Sequence, residues 1–192
     1  MKRLIAVLIA VLLPAFAVAA TLGDDGLHKT DWMRDTFKDL NEDLAEANAE
    51  GKRLVVMVEQ RGCIYCAKMH EEIFSQEDVA SYIRDNFFVV QINLHGETEI
   101  TDFDGETLTE KQAARKWGLL FTPSILFLPE EVEEGATAQS AAVAIMPGAF
   151  GAGTTLDMFT WVNEKRYGPE FEEDFQRYHA RRIQERQAEA TD

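Results

Sequence analysis

Two cysteines are all that this chain of 192 residues contains, and they stand three positions apart at Cys63 and Cys66. A structural disulfide normally staples distant segments, because that removes more entropy from the unfolded chain. A bridge across two intervening residues gains little stability in this way, so chemistry is the better explanation of the pair. Positive charge is also scarce: 19 basic residues against 34 acidic ones leave a formal net charge of −15. A surface this acidic repels nucleic acid and anionic lipid. It suits basic partner patches, or plain solubility. Past position 20 no apolar run approaches the ~18–20 residues that span a bilayer. Internal repeats and low-complexity tracts are missing as well.

The longest uninterrupted apolar run occupies residues 4–13. Lys2 and Arg3 precede it, Pro14 breaks it, and Ala17-Val18-Ala19 supplies a small-x-small site. This is the form of a secretory signal cleaved after Ala19 or Ala20. A retained anchor is the competing reading, but the run is short and no charged stop-transfer flank follows. Export to the periplasm would place the cysteines where disulfides persist. The expected organisation is a signal peptide over residues 1–20, one domain over 21–168 and a charged helical extension over 169–192. About 170 mature residues are enough for one real core.

Along the chain, residues 31–50 read as an amphipathic helix, with Met33, Phe37, Leu40, Leu44 and Ala47 on one face and Gly51 as the stop. The apolar run at 54–58 suits a strand buried on both faces. Residues 63–74 have helical spacing. Ser75 to Asp78 reads as a capping box for a helix to about position 85. Residues 87–94 form a second strand, and 95–106 an acidic loop. Thr109 with Gln112 caps a helix through Trp117, which Gly118 ends. Strands at 124–128 and 141–146 make a hairpin around a loop at 130–140. A helix at 154–166 follows, then a break at Gly168-Pro169, with Pro169 in the first turn of a final helix that frays. A strand–helix–strand crossover is parallel and the hairpin antiparallel. The fold class is therefore α/β: a mixed sheet of about four to five strands with helices on both faces. Cys63 falls just past the carboxyl end of the first strand, where open α/β sheets place their sites.

A dithiol enzyme needs a nucleophilic thiolate and a nearby thiol that resolves the mixed disulfide. Two intervening residues on a first helical turn bring both sulfurs within bonding reach. Cys63, at the helix start, meets unsatisfied N–H groups that favour its thiolate. Cys66, one turn inside, is the more buried and resolves. Gly62 leaves space for a partner chain, and Ile64 and Tyr65 tune the pair. Three other readings compete. Zinc would want two more ligands, and His70, four residues past Cys66, supplies only one. A c-type haem needs His directly after the second cysteine, where Ala67 stands. An inert bridge explains neither the spacing nor the strand-to-helix position. No cofactor or metal is called for. Thr122-Pro123 is the second informative feature. A proline opening a strand is tolerated at an edge, a cis bond would set backbone beside a distant site, and a free edge there can pair with an extended peptide.

The strand–CxxC–helix unit followed by Thr122-Pro123 resembles the thioredoxin family over most of residues 29–165. Several stretches are similar to the periplasmic SoxW-type thioredoxins of sulfur-oxidation systems: residues 62–70 (GCIYCAKMH), 101–106 (TDFDGE), Arg115-Lys116-Trp117 and Phe121-Thr122-Pro123. The resemblance implies a thioredoxin-like fold with Cys63 as nucleophile, Cys66 as resolving thiol and a cis Pro123 facing the sulfurs. It implies electrons taken from an integral-membrane thiol transporter and passed to periplasmic thiol proteins, a SoxYZ-like sulfur carrier among them. Two departures stand out. Ordinary thioredoxins have Trp before the pair and Gly-Pro within it, where this chain has Gly62 and Ile64-Tyr65. They also carry a buried Asp six residues before the first cysteine, and here that position is Met57. Glu59 is the nearest acid and the substitute proton acceptor, although its plain reading is a solvated loop carboxylate. Asp102 to Gly105 hints at calcium, but an EF-hand frame would put Ile100 first and Lys111 last, so a solvated loop is expected. His28, His95 and His179 show no partner.

Overall fold

The computed structural model describes residues 20–191. The expected leader lies outside them, Ala20 excepted. A two-stranded ribbon opens the chain, β1 (Thr21–Leu22) against β2 (His28–Lys29). Then come β3 (Met33–Arg34), α1 (Leu40–Ala49), β4 (Arg53–Glu59) and α2 (Ile64–Lys68), which widens into a π turn at Met69–Ile73. Next are α3 (Glu77–Asn86), β5 (Phe87–Asn93), the short strands β6 (Glu99–Thr101) and β7 (Thr107–Thr109), and α4 (Glu110–Lys116). The chain ends through β8 (Ser124–Phe127), α5 (Ala138–Ala141), β9 (Ala144–Pro147), α6 (Ala152–Asn163) and α7 (Phe175–Glu189).

The central sheet has five strands in the order β3-β5-β4-β8-β9. β5 runs parallel to both β3 and β4, while β4–β8 and β8–β9 are antiparallel. This is the mixed α/β sheet that the sequence predicts. Every residue of β4 is buried, as a central strand covered on both faces requires. Alternation along β4 sends Val55 and Met57 into a core shared with α3, α6 and α7, and Leu54, Val56 and Val58 into one shared with α1 and α4. In the first core the rings of Phe87, Phe127 and Phe159 meet edge to face, with centroids 4.7 to 6.3 Å apart. Among the described residues no helix is long and apolar enough to cross a membrane.

Several expectations are corrected. The helix read over 31–50 begins only at Leu40. Before it, Met33 and Arg34 pair with Val89 and Val90 as an edge strand, Lys38 takes a left-handed backbone (φ 59°), and Asp39 caps α1 by accepting from the Asn41 and Glu42 N–H groups. Phe37, read as apolar face, is 96% exposed. Ser75 caps nothing: its hydroxyl donates to the Glu71 carbonyl at 2.6 Å, and Gln76 occupies the N-cap of α3 without a side-chain bond. The Thr109–Gln112 box forms as expected. The loop at 130–140 holds α5, closed by its own Thr137–Ser140 box.

The acidic loop is not simply solvated. It is a hairpin whose Asp102 is 1% exposed. Asp102 accepts from the Trp117 indole N–H and the Ala138 N–H, both at 2.8 Å, and lies 3.1 Å from Lys116 Nζ. Nor does the final helix start at Pro169. Asp174 caps it, and buried Asp157 of α6 takes a two-pronged grip from Arg186 at 2.8 and 2.9 Å and a contact from His179 at 2.6 Å. Tyr178, 2% exposed, enters the core.

Candidate active site

The site forms where β4 ends. Gly62 sits at φ 71°, a left-handed backbone that costs an L side chain strain but not glycine. A Cβ there would meet nothing within 4 Å, so the space in front of the pair is open. The chain then enters α2 with Cys63 as its N-cap, and the Cys63 sulfur accepts the Cys66 backbone N–H at 3.0 Å. Cys63 and Cys66 are joined as a disulfide, with S–S 2.17 Å and Cα–Cα 5.2 Å. Cys63 is 7% exposed and Cys66 1%, the order expected for an outer and an inner sulfur.

Thr122 closes the site from the start of β8. Its hydroxyl donates to Cys63 Sγ at 3.3 Å, and its carbonyl oxygen lies 3.5 Å from the same atom. A disulfide sulfur carries no proton, so that carbonyl contact becomes a hydrogen bond only when Cys63 is a thiol. The Thr122–Pro123 peptide is cis. Fifty-nine residues of sequence thus separate two groups in contact, and β4–β8 pairing brings them together.

Around the recessed sulfurs stands an exposed apolar rim: Ile64 (74%), Tyr65 (59%), Leu120 (77%) and Phe121 (67%). A groove of about 450 Å³ runs from Tyr65 past Cys63 to Phe121. A second of about 680 Å³ lies on the other side of Cys63, walled by Leu22, His28, Arg61 and Ala67. A larger groove, about 780 Å³, lies beside β3 near Trp32, Phe37 and Asp43 and holds no thiol. Size does not locate the chemistry here; the sulfurs do.

Glu59 is not the solvated loop carboxylate of its plain reading. It is 1% exposed and closes β4. Strand alternation turns its side chain to the face of Met57, the face that the Cys66 helix covers. There Glu59 meets His70 Nε2 at 3.0 and 3.2 Å and accepts from the Gln91 amide. Gln91 also donates to the His28 carbonyl at 2.8 Å and accepts from Lys29 Nζ at 2.5 Å. The His28 ring stacks on His70 with centroids 5.2 Å apart. His70, the residue a metal site would have used, is paired with this carboxylate. Sequence reading missed this cluster. Two signals pointed to it: Glu59 two residues after Met57, and His70 one helical turn after Cys66.

Residues 40–145 match the family model described as a thioredoxin-like domain. The chain is similar to a thioredoxin-fold protein from Helicobacter pylori at 14% identity, over 72% of this chain and 86% of that one, with a TM-score of 0.56. It is similar to a thioredoxin from Thermus thermophilus at 21% identity, over 68% of this chain and 87% of that one, with a TM-score of 0.50. Likeness at such identities concerns the fold. No curated protein matches. A vicinal pair capping its helix, a Thr-Pro strand start against the outer sulfur, and a family match over more than half of the length agree: the chain belongs to the thioredoxin-like domain family.

Proposed function

We propose that this chain is a periplasmic thiol–disulfide oxidoreductase of the SoxW type, which reduces disulfides or persulfides on periplasmic partner proteins. The observation that carries the reading is the Cys63–Cys66 disulfide at the head of α2, its outer sulfur touched by Thr122. In the reduced protein the Cys63 thiolate attacks a substrate disulfide. That S–S bond breaks, one substrate sulfur leaves as a thiolate and takes a proton, and a mixed disulfide remains. Cys66 loses its proton and attacks Cys63 Sγ, expelling the second substrate sulfur. Two electrons have passed to substrate and the internal disulfide has closed. An integral-membrane thiol transporter restores the dithiol. An extended partner segment lies against Thr122 and Pro123, over the rim of Ile64 and Tyr65 beside Gly62. Glu59 is the carboxylate toward which the Cys66 proton moves. A SoxYZ-like sulfur carrier is the expected partner, and the acidic surface suits a basic one.

One observation favours the opposite direction. Both the Cys66 N–H and the Thr122 hydroxyl point at Cys63 Sγ, and donors that stabilise a thiolate make a dithiol the more stable form, hence its disulfide a stronger oxidant. The reduction potential decides. Equilibration against glutathione or dithiothreitol, read by thiol trapping and mass spectrometry, is expected to give a value near ~−270 mV, and one near ~−120 mV would replace the reductase by an oxidant. Cys66→Ser tests turnover itself. It is expected to trap mixed disulfides from periplasmic extract, and trapping none would reduce the chain to a binding module.

A further inference from the structure

We infer that His70 is the base that takes the proton of Cys66, with Glu59 as the carboxylate that orients it and holds its charge. The inference rests on the oxidoreductase reading above and names the proton route inside it.

The resolving step needs a thiolate at a sulfur that is 1% exposed. Bulk water does not reach it, and the acid that ordinary thioredoxins place six residues before the first cysteine is here the thioether Met57. A carboxylate only accepts hydrogen bonds, so the His70 nitrogen facing Glu59, Nε2, carries the proton of the neutral ring. Nδ1 is then a bare lone pair. It is buried and has no hydrogen-bond partner among the described residues. An unpartnered polar atom in a core is costly, and native structures rarely keep one without a use. Helical side chains lean toward the N-terminus and lie over the residue one turn earlier. For His70 that residue is Cys66, whose sulfur, held in the disulfide, makes no hydrogen bond to Nδ1. The π turn at Met69–Ile73 begins at this point, and turns of that kind are frequent at functional sites.

The step balances. Cys66 Sγ–H gives its proton to Nδ1, leaving Cys66 thiolate, and the imidazolium keeps Nε2–H on the Glu59 carboxylate. The thiolate attacks Cys63 Sγ, the bond from Cys63 to the substrate sulfur breaks, and the departing sulfur is protonated from solvent. Re-reduction returns a thiol at Cys66 and the neutral ring. The groups facing His70 are Glu59 and His28, with Lys29 beyond Gln91 and Asp25 paired to Lys29.

Glutathione disulfide is a sufficient probe. In a Cys66→Ser background, capture of glutathione by Cys63 reports the first step. In the two-cysteine protein, release of glutathione from Cys63 reports the second. His70→Gln and Glu59→Gln are each expected to slow release by about 10²-fold or more, with capture unchanged. The defect should fade as pH rises and hydroxide comes to remove the Cys66 proton without His70. Unchanged release overturns the proposal. So does an equal loss in both steps, or a release defect indifferent to pH, since either marks a structural role. Should His70→Gln fail to fold, Glu59→Gln carries the test, because it keeps shape and one acceptor while removing charge. A wild-type protein that neither captures nor releases glutathione overturns the oxidoreductase reading, a result distinct from a defect confined to the variants.

Discussion

The Thr122 hydroxyl stands 3.3 Å from Cys63 Sγ, opposite a Cys66 N–H that reaches the same sulfur at 3.0 Å. A hydrogen bond to a charged group is worth ~1.5–3 kcal/mol. Thr122→Val keeps shape and removes the donor. Alkylation of reduced Cys63 by iodoacetamide at neutral pH should fall by about tenfold or more. The reduction potential should become more negative by ~30 mV or more. A potential that does not move would remove Thr122 from the chemistry.

Asp102 gathers partners from two other segments. Asp102→Ala leaves the Trp117 indole N–H and the Ala138 N–H without an acceptor and Lys116 without its inner anion. Each stranded buried donor costs ~1–3 kcal/mol, so urea denaturation should show a loss of about 3–5 kcal/mol. Asp102→Asn keeps one acceptor and should lose less. The redox pair lies at the end of another strand, and its potential should stay unchanged.

Asp43 makes stability depend on pH. Burial pushes its carboxyl up from 3.8 to about 6; the Thr36 hydroxyl opposes this, and the charges of Asp39, Glu46 and Glu42 add to it. A carboxyl raised in the folded state favours folding while it is protonated. That benefit is complete below the ordinary carboxylate value and disappears as pH rises through about 6. Asp43→Asn should therefore raise the melting temperature at pH 7.5 and leave it nearly unchanged at pH 4. A shift of equal size at both values would refute this account.

For Asp157 the sign reverses. Burial alone would push its carboxyl up, but Arg186 and then His179 outweigh burial and hold it below the usual range. Its contribution to docking α7 is present above the ordinary value and lost as pH falls through the lower native one. Asp157→Asn at pH 7 should speed amide hydrogen exchange across Phe175–Glu189 while leaving β4 and β5 protected. Uniform acceleration through the chain would mean that α7 does not open by itself.

The parts legible in the sequence were those where local and tertiary preferences agree. A run such as 87–90 is apolar throughout because both its faces are covered, and it reads as a strand on sight. The Thr109–Gln112 box uses two side chains within one turn, so no distant residue can alter it. Residues 31–39 misled because Met33 and Phe37 keep helical spacing by coincidence; sheet pairing with Val89 and Val90 and the left-handed Lys38 override it. Ser75 failed because the preceding helical turn offered its hydroxyl a nearer acceptor, the Glu71 carbonyl. At the site, the Cys63–Cys66 spacing and the Thr122-Pro123 pair showed in the sequence, since each is a contiguous motif. The Glu59–His70 contact did not, because eleven residues and a change from strand to helix lie between them. Asp102 and Asp157 look like surface charge until their partners, up to 36 residues away, come into view.

The recess of Cys63 has a kinetic meaning. With 7% of its surface open and Ile64, Tyr65, Leu120 and Phe121 lining the groove beside it, the sulfur offers an approaching group little area of its own. A protein segment that covers the rim gains ~25 cal/mol for each Å² of apolar surface it hides. That contact energy is available only to a partner broad enough to touch Ile64 and Phe121 together. The rim thereby favours a broad contact over a small one.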